Sequence, residues 1–376
     1  MKIKVVEAIS DTNIGGAGIL LVNRLKHTDR SIFDTTVVMP KGSLLEKRFK
    51  EIGIKVITVN GCFDKSWDIG GFLAYKRIFL RISPHIVNSH GCLAARVAAK
   101  ISGVRVKLYT RHCVYPVSKI YDSKAIRIAI KKVTEYLNDG IIAVAHSAKD
   151  NLEKMGISPK MIHVIINGAE PLRVTSEDER DFLRGQYEIS PNDRVITICA
   201  RLEACKDHRC FLYAAKKLCE KSEKYKFFIL GNGSLREELE TLSKKLGLER
   251  KVFFVGFVND VSPFMNLTHV NVNCSIGTET SSLALSEGMS IGIPSVVSDY
   301  GGNTYMVKDN VNGYIYGAGD FKDLARKIEA IFDTGEYERM SDASKSRYST
   351  ELNAQAMAEK TQNLYLNMVK KKIPKQ

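Results

Sequence analysis

The chain has 376 residues, 44% hydrophobic and 26% charged, the balance of a soluble globular protein long enough for two cores. No apolar run reaches 18 residues, which excludes a membrane-spanning helix, and the opening run MKIKVVEAIS reads as a strand without a leader's cleavage site. The +14 formal charge is lopsided: residues 1–175 hold 28 Lys and Arg against 14 Asp and Glu, residues 176–376 hold 28 of each, and a basic half implies an anionic partner.

The predicted elements alternate. Lys2–Ile9 reads as a strand, Asp11–Gly18 as a glycine-rich turn and Ile19–Lys26 as a helix. Strands follow at Thr35–Met39, Lys55–Val59, His85–Ser89, Lys107–Thr110, Gly140–Val144 and Ile162–Ile166, with helices at Leu44–Ile52, Gly70–Arg81, Cys92–Ile101, Lys119–Leu137 and Ala148–Lys154. Asn167–Arg173 reads as a linker, after which the pattern restarts. Strands at Arg194–Ala200, Lys226–Leu230, Val252–Gly256, Val270–Cys274 and Ser295–Ser298 alternate with helices at Cys210–Glu220, Ser234–Leu246, Val261–Leu267 and Ser282–Ser290. A polar helix at Glu177–Gln186 precedes them, and Phe321–Phe332 and Asn353–Lys371 close the chain as helices. Short apolar strands separated by helices predict parallel sheets covered on both faces, here two in tandem with a cleft between them. The expected domains are 1–170 and 171–354, with a final helix near 355–376 returning to the first. The eight cysteines form no C-x-x-C pair and read as small apolar residues of a reduced, cytoplasmic protein.

Chemistry gathers in the loops. Gly15, Gly16 and Gly18 follow the first strand, where glycine admits a ligand to the backbone and a helix N-terminus offers N–H groups to an anion. The loop is a poor dinucleotide fingerprint, since the second strand ends in Val38-Met39-Pro40 with no acid to hold a ribose. After the restart, Arg201 and Lys206 follow a strand and could clamp a diphosphate. Gly231-Asn232-Gly233 lacks the Lys-Ser/Thr of a P-loop. The densest stretch is SIGTETSSLALSEGMSIGIPSVVSDYGG, residues 275–302. On one helix Glu279 and Glu287 would stand about 80° apart. With Glu279 in a loop and the helix starting near Ser281, both can face one site, and N–H groups at Thr280, Ser281, Ser282 and Leu283 can meet an anion.

This stretch resembles the E-x7-E signature of retaining glycosyltransferases of family 4, which have the GT-B fold. Gly288-Met289-Ser290-Ile291-Gly292-Ile293-Pro294 and Tyr300-Gly301-Gly302 follow in the family's order. Arg201 and Lys206 resemble its R-x4-K clamp, Asn167-Gly168 its interdomain N-G, and Gly231-Asn232-Gly233 and Phe254-Val255-Gly256-Phe257 its sheet-edge loops. Gly15-Gly16 resembles its N-terminal glycine pair, and His90 and His112 stand where the family often has histidines. The resemblance implies transfer of a sugar from a nucleotide-sugar donor, taken as a UDP-sugar, with the anomeric configuration kept. It implies that Glu287 binds the ribose, that Arg201 and Lys206 neutralise the leaving diphosphate, and that Glu279 meets donor-sugar hydroxyls. Gly256, Phe257 and Val258 would read the base, Gly16 would approach the phosphate or sugar, and His112 would contact the donor sugar or reacting centre. No D-x-D occurs, which fits an enzyme without a metal or other cofactor. One departure stands out: the family commonly has a Glu after the glycine pair, where this chain has Asn303-Thr304-Tyr305.

The basic half is where such enzymes hold the acceptor. Ile126, Ile130, Val133 and Leu137 form an apolar stripe at helical spacing beside Lys124, Arg127 and Lys131, with Lys119 and Lys132 nearby, a pattern suited to an anionic leaflet. The expectation is a peripheral enzyme on the inner face of the cell membrane with a lipid-linked or otherwise anionic acceptor, as in surface polysaccharide or glycolipid assembly. The alternative is a GT-B enzyme acting on a soluble metabolite, by glycosyl transfer or UDP-sugar epimerisation. Nucleic acid is not an expected partner, because no nucleic-acid module or aromatic interleaving accompanies the basic residues.

Overall fold

A computed structural model describes residues 2–13, 15–60, 69–114, 123–333 and 335–372. The chain divides into two compact units, one built from Met1–Gly168 and Ala354–Gln376, the other from Ala169–Asn353.

In the first unit the order is β1 (Ile3–Ile9), α1 (Gly16–Lys26), β2 (Phe33–Pro40), α2 (Glu46–Glu51), β3 (Lys55–Val59), α3 (Ile69–Ile82), β4 (Ile86–His90), α4 (Leu93–Ile101), β5 (Val106–Arg111), α5 (Lys124–Leu137), β6 (Gly140–Ala143), α6 (His146–Lys154) and β7 (Ile162–Val164). All pairings are parallel and the strand order is β3-β2-β1-β4-β5-β6-β7. The order reverses between β1 and β4, and the carboxyl ends of strands at such a switch point leave room for ligands. Ile9, Val37 and Met39 pack with α1 and α2 on one face, while Val6, Val38 and Val87 pack with α3 and α4 on the other.

The second unit runs α7 (Glu177–Gln186), β8 (Arg194–Cys199), α8 (His208–Cys219), β9 (Tyr225–Leu230), α9 (Arg236–Lys245), β10 (Val252–Gly256), α10 (Ser262–Met265), β11 (Val270–Asn273), α11 (Leu283–Ser290), β12 (Ser295–Ser298), α12 (Asn303–Met306), β13 (Gly313–Tyr316), α13 (Phe321–Asp333) and α14 (Tyr337–Arg347). Its parallel sheet is ordered β10-β9-β8-β11-β12-β13, with the switch point between β8 and β11. α7 starts where it does because Ser176 and Glu179 form a reciprocal capping box. α8 is capped by Asp207, whose carboxylate accepts from the Cys210 N–H.

The two sheets are doubly wound and Rossmann-like, as the alternation predicts. Three elements differ from the sequence reading. β13 and α14 fall where no element is expected, and α12 follows Gly301-Gly302. The last helix, α15 (Ala354–Lys372), belongs to the first unit, where Tyr365 enters the core and the Tyr365 and Phe33 rings meet edge to face at 6.2 Å. Residues 119–122, predicted as the start of the helix that continues as α5, lie outside the described residues, as do Cys62 and Ile14.

Candidate active site

In the second unit the loops after β8 and β11 meet across the switch point. Lys206 Nζ lies 2.7 Å from Glu279 Oε2 and donates to Ser275 Oγ at 3.2 Å. The same carboxylate oxygen accepts from Ser275 Oγ at 2.9 Å and from Asn273 Nδ2 at 3.1 Å. Burial would raise the Glu279 pKa, but the Lys206 charge and these donors outweigh it and hold the group below the usual carboxylate range. Sequence reading gives Lys206 and Glu279 separate tasks; the fold makes them an ion pair. Arg201 stands exposed at the start of the same loop.

Glu279 is in a loop, with Thr278 at φ 55°, and Glu287 is on α11, so the two acids do not share one continuous helix. The row of N–H groups is shifted from its expected place. Ser282 is the N-cap and its side chain accepts from the Leu285 N–H, so the helix opens at Leu283 rather than Ser281. Thr280 and Ser281 are buried ahead of it, and the Ser282 N–H points at Met306 Sδ, 3.2 Å away. The helical N–H groups left for an anion are those of Leu283 and Ala284. Gly302 packs against the loop ahead of the helix: a Cβ there would sit 1.5 Å from Thr280 O. Glu287 has no charged partner among the described residues, and burial pushes its pKa up to about 7. Its charge also helps, after burial, to push the Cys199 thiol at the end of β8 up to about 12.

The remaining loops of this edge are tied together. Gly231 N–H donates to Gly256 O at 2.8 Å, and Gly231, at φ 141°, has no room for a Cβ beside Ala200 O. The Gly231 requirement is therefore met by the chain's own packing. Beyond Gly256, Phe257 is 63% exposed while Val258 packs partly against the core of this unit. Tyr305 is committed elsewhere: its hydroxyl donates to Glu351 Oε2 at 2.6 Å and the Arg347 guanidinium lies 4.8 Å from its ring centre.

In the first unit the switch point holds a cluster that the sequence reading half saw. His90, the last residue of β4, and His112, just past β5, have Nδ1 and Nε2 2.8 Å apart, with stacked rings. Behind them lies Glu7, an acid in the middle of the apolar β1 and fully buried. Glu7 was missed, yet a lone acid inside a buried strand is itself the signal. Burial would raise its pKa, but Arg24 and His90 overcome this and bring it down to about 2. Gly15 is the N-cap of α1, and a Cβ on Gly16 would meet nothing within 4 Å, so the chain's own packing does not require glycine at 16.

On α5 the predicted apolar stripe splits: Val133 faces outward, while Ile130 and Leu137 face inward. Leu137 is buried and Ile130 packs on the core of its own unit, so those residues serve the fold. The exposed apolar residues are Ile128, Val133 and Tyr136, at 44%, 57% and 65%, beside exposed Lys124, Arg127, Lys131 and Lys132. Among the described residues no helix is long and apolar enough to cross a membrane.

Comparison with known proteins bears on both units. Residues 14–173 match the family model described as "Glycosyltransferase Family 4", and residues 179–347 match "Glycosyl transferases group 1". The chain is 23% identical over 311 residues, 80% of each chain, to an Escherichia coli protein named UDP-Gal:alpha-D-GlcNAc-diphosphoundecaprenol alpha-1,3-galactosyltransferase. It is 20% identical over 369 residues, 95% of each chain, to N-acetyl-alpha-D-glucosaminyl L-malate synthase of Bacillus anthracis. A higher identity, 29% over 181 residues, links it to EpsD of Bacillus subtilis, but that match spans only about half of either protein, 48% of this chain and 47% of EpsD. Among solved structures, a glycosyltransferase from Rickettsia africae superposes with a TM-score of 0.85 at 18% identity, covering 98% of this chain and 99% of that one. Anabaena Alr3699/HepE in complex with UDP gives 0.82 at 19%, covering 98% and 100%. The chain belongs to glycosyltransferase family 4 and has the GT-B fold.

Proposed function

We propose that the protein transfers a sugar, with retention of configuration, from a UDP-sugar to a lipid-linked or otherwise anionic acceptor. The observation that carries the reading is the Lys206–Glu279 pair at the switch point of the second sheet, beside the opening N–H groups of α11. In this reading the diphosphate arrives at the Leu283 and Ala284 N–H groups and draws Lys206 and Arg201 onto its oxygens. Charge then builds on the departing diphosphate, where preorganised cations and dipoles stabilise the transition state most, without calling on a metal. Glu279, released in part from Lys206, accepts from donor-sugar hydroxyls, and Glu287 accepts from the ribose diol. Gly256, Phe257 and Val258 form the edge on which the base rests.

The names of several relatives support the acceptor class. The Escherichia coli protein is named for a diphosphoundecaprenol acceptor, and so is a Campylobacter jejuni protein 33% identical over 143 residues, 38% of this chain. UDP as the nucleotude leaving group is supported by the Escherichia coli name and by the Anabaena complexes with UDP and UDP-glucose. The exposed face of α5, with Lys124, Arg127 and Lys131 beside Ile128, Val133 and Tyr136, suits the inner surface of an anionic membrane. A second reading, transfer to a soluble acceptor, is favoured by the Bacillus anthracis relative; turnover undiminished by removal of all lipid would select it.

The test is thermal stabilisation by UDP, GDP, ADP and CMP, with and without EDTA. At 100 times its Kd a ligand adds about 2.7 kcal/mol. The expected result is a shift with UDP alone, unchanged by EDTA and lost in Arg201→Ala. No shift with any nucleotide overturns the reading.

A further inference from the structure

Arg236 opens α9 and reaches back to the carboxyl end of β10. Its Nε donates to Glu240 Oε1 at 2.8 Å, one turn further along the helix, and its Nη2 donates to Phe254 O at 3.1 Å. The plane of the guanidinium is therefore set by the chain itself. A guanidinium has five N–H donors and no acceptor, and Nη1 has no hydrogen-bond partner among the described residues. Nη1 lies where a side chain at residue 256 would begin: a Cβ on Gly256 would stand 3.2 Å from it. Gly256 holds a left-handed backbone at φ 88° and leaves this path to Nη1 without a side chain. The Arg236 side chain is 34% exposed, so a solute can reach it.

The charge at this place is already balanced. Glu240 pairs with Arg236, so the guanidinium suits a neutral carbonyl better than a further anion. On the transferase reading, on which this inference rests, the nucleoside lies along the carboxyl edge of the second sheet. Glu287, after β11, takes the ribose, and Gly256 to Val258, after β10, take the base. The strand order β10-β9-β8-β11 puts three strand spacings, about 14 Å, between those two places. The base then points away from the ribose toward the β10 end, and the atom farthest from the sugar is the one that comes to Arg236. In uracil that atom is the O4 carbonyl oxygen, an acceptor. In cytosine the same position carries an amino group, a donor.

We infer that Arg236 is a specificity-determining residue whose Nη1 donates to O4 of a uracil base. Cytosine is rejected because its 4-amino group would meet N–H donors with donors of its own. Glu240 and the Phe254 carbonyl hold the guanidinium in the plane of the contact, and Gly256 keeps the approach clear.

Calorimetric titration of the full chain with UDP, CDP, 2-thio-UDP and 4-thio-UDP tests the contact. The wild type is expected to bind UDP at least about tenfold more tightly than CDP, the scale of one hydrogen bond from a charged donor. Sulfur is a weak acceptor, so 4-thio-UDP should bind more weakly than UDP while 2-thio-UDP matches it. This comparison needs only the wild type and stands even if a variant fails to fold. Arg236→Met keeps an apolar stem and removes the donors. It is expected to weaken UDP about tenfold and leave CDP unchanged. Equal losses for UDP and CDP would mark a stacking or structural role and overturn the inference, as would 4-thio-UDP binding as tightly as UDP. Binding of UDP without discrimination against CDP leaves the transferase reading standing and removes this role of Arg236. Binding of no nucleotide at all removes both.

Discussion

Glu7 and Glu287 are both carboxylates withdrawn from water near the switch point of a parallel sheet, and the chain treats them in opposite ways. Glu7 meets two hydrogen-bond donors on one oxygen and a cation with a hydroxyl on the other, and its pKa falls to about 2. Glu287 receives no side-chain donor among the described residues, and its pKa rises to about 7. A carboxylate whose lone pairs are all engaged by its own chain is a frame. On the proposed reading, one left costly and unengaged is kept for the ribose of the donor. Glu279 is intermediate, satisfied by Lys206 in a way a diphosphate could undo.

The sharpest way to break this comparison is Lys206→Ala. On the proposed role it removes transition-state charge stabilisation, and kcat should fall about 10²–10³-fold. It also strands Glu279, so unfolding should shift to lower urea. Adding Glu279→Gln should recover that stability without recovering turnover. A double variant that regains activity would show the pair to be structural only.

Next in size is the pH dependence of stability, where the two acids have opposite signs. Glu7 is depressed from 4.5, so its contribution is complete above about pH 4.5 and is lost as pH falls toward 2. Glu287 is raised from 4.5, so its protonated form favours folding below about pH 4.5 and that benefit is lost as pH rises through 7. Each shift corresponds to at most about 3 kcal/mol. Urea unfolding between pH 3 and 8 should show Glu287→Gln gaining on the wild type as pH rises. The deficit of Glu7→Gln should shrink as pH falls. Parallel curves for both would end the distinction.

The reach of the sequence is uneven for reasons visible in these residues. Alternating apolar runs reveal both sheets because a parallel strand buried on two faces is built mostly of apolar residues. α7 is legible from Ser176 and Glu179 alone. α14 is not, because its buried positions include Ser341 and Ser344, which carry no apolar signal. The Glu279 loop and the Arg201–Lys206 loop are each readable as chemistry, but their ion pair joins residues 73 apart and only the β8–β11 neighbourhood makes it. The Glu7 cluster joins β1, β4 and the segment after β5, so spacing could not assemble it.

The face of α5 gives a smaller effect. Basic residues near an anionic surface contribute about 1 kcal/mol each, so Lys124→Glu with Arg127→Glu should weaken binding to phosphatidylserine vesicles by at least about 2 kcal/mol, some 30-fold. Unchanged sedimentation with vesicles would count against a membrane role for α5. The smallest effect expected on stability is that of Gly16→Ala. The site has room for the methyl group, so the free energy of unfolding should change by less than about 1 kcal/mol. A large fall in kcat in the same variant would mark Gly16 as a place where substrate, not protein, needs the space.

Tyr365 reaches Glu7 across 358 residues of sequence. On a ribosome the first sheet is therefore made early and finished last. Until α15 emerges, Glu7 and Arg24 lack one of their partners, and the whole second unit has to be synthesised in between. The nascent first half must wait with a buried charge incompletely matched, a state in which non-native association competes with folding. The closing helix thus makes completion of the amino-terminal half report that the carboxyl-terminal half has been made.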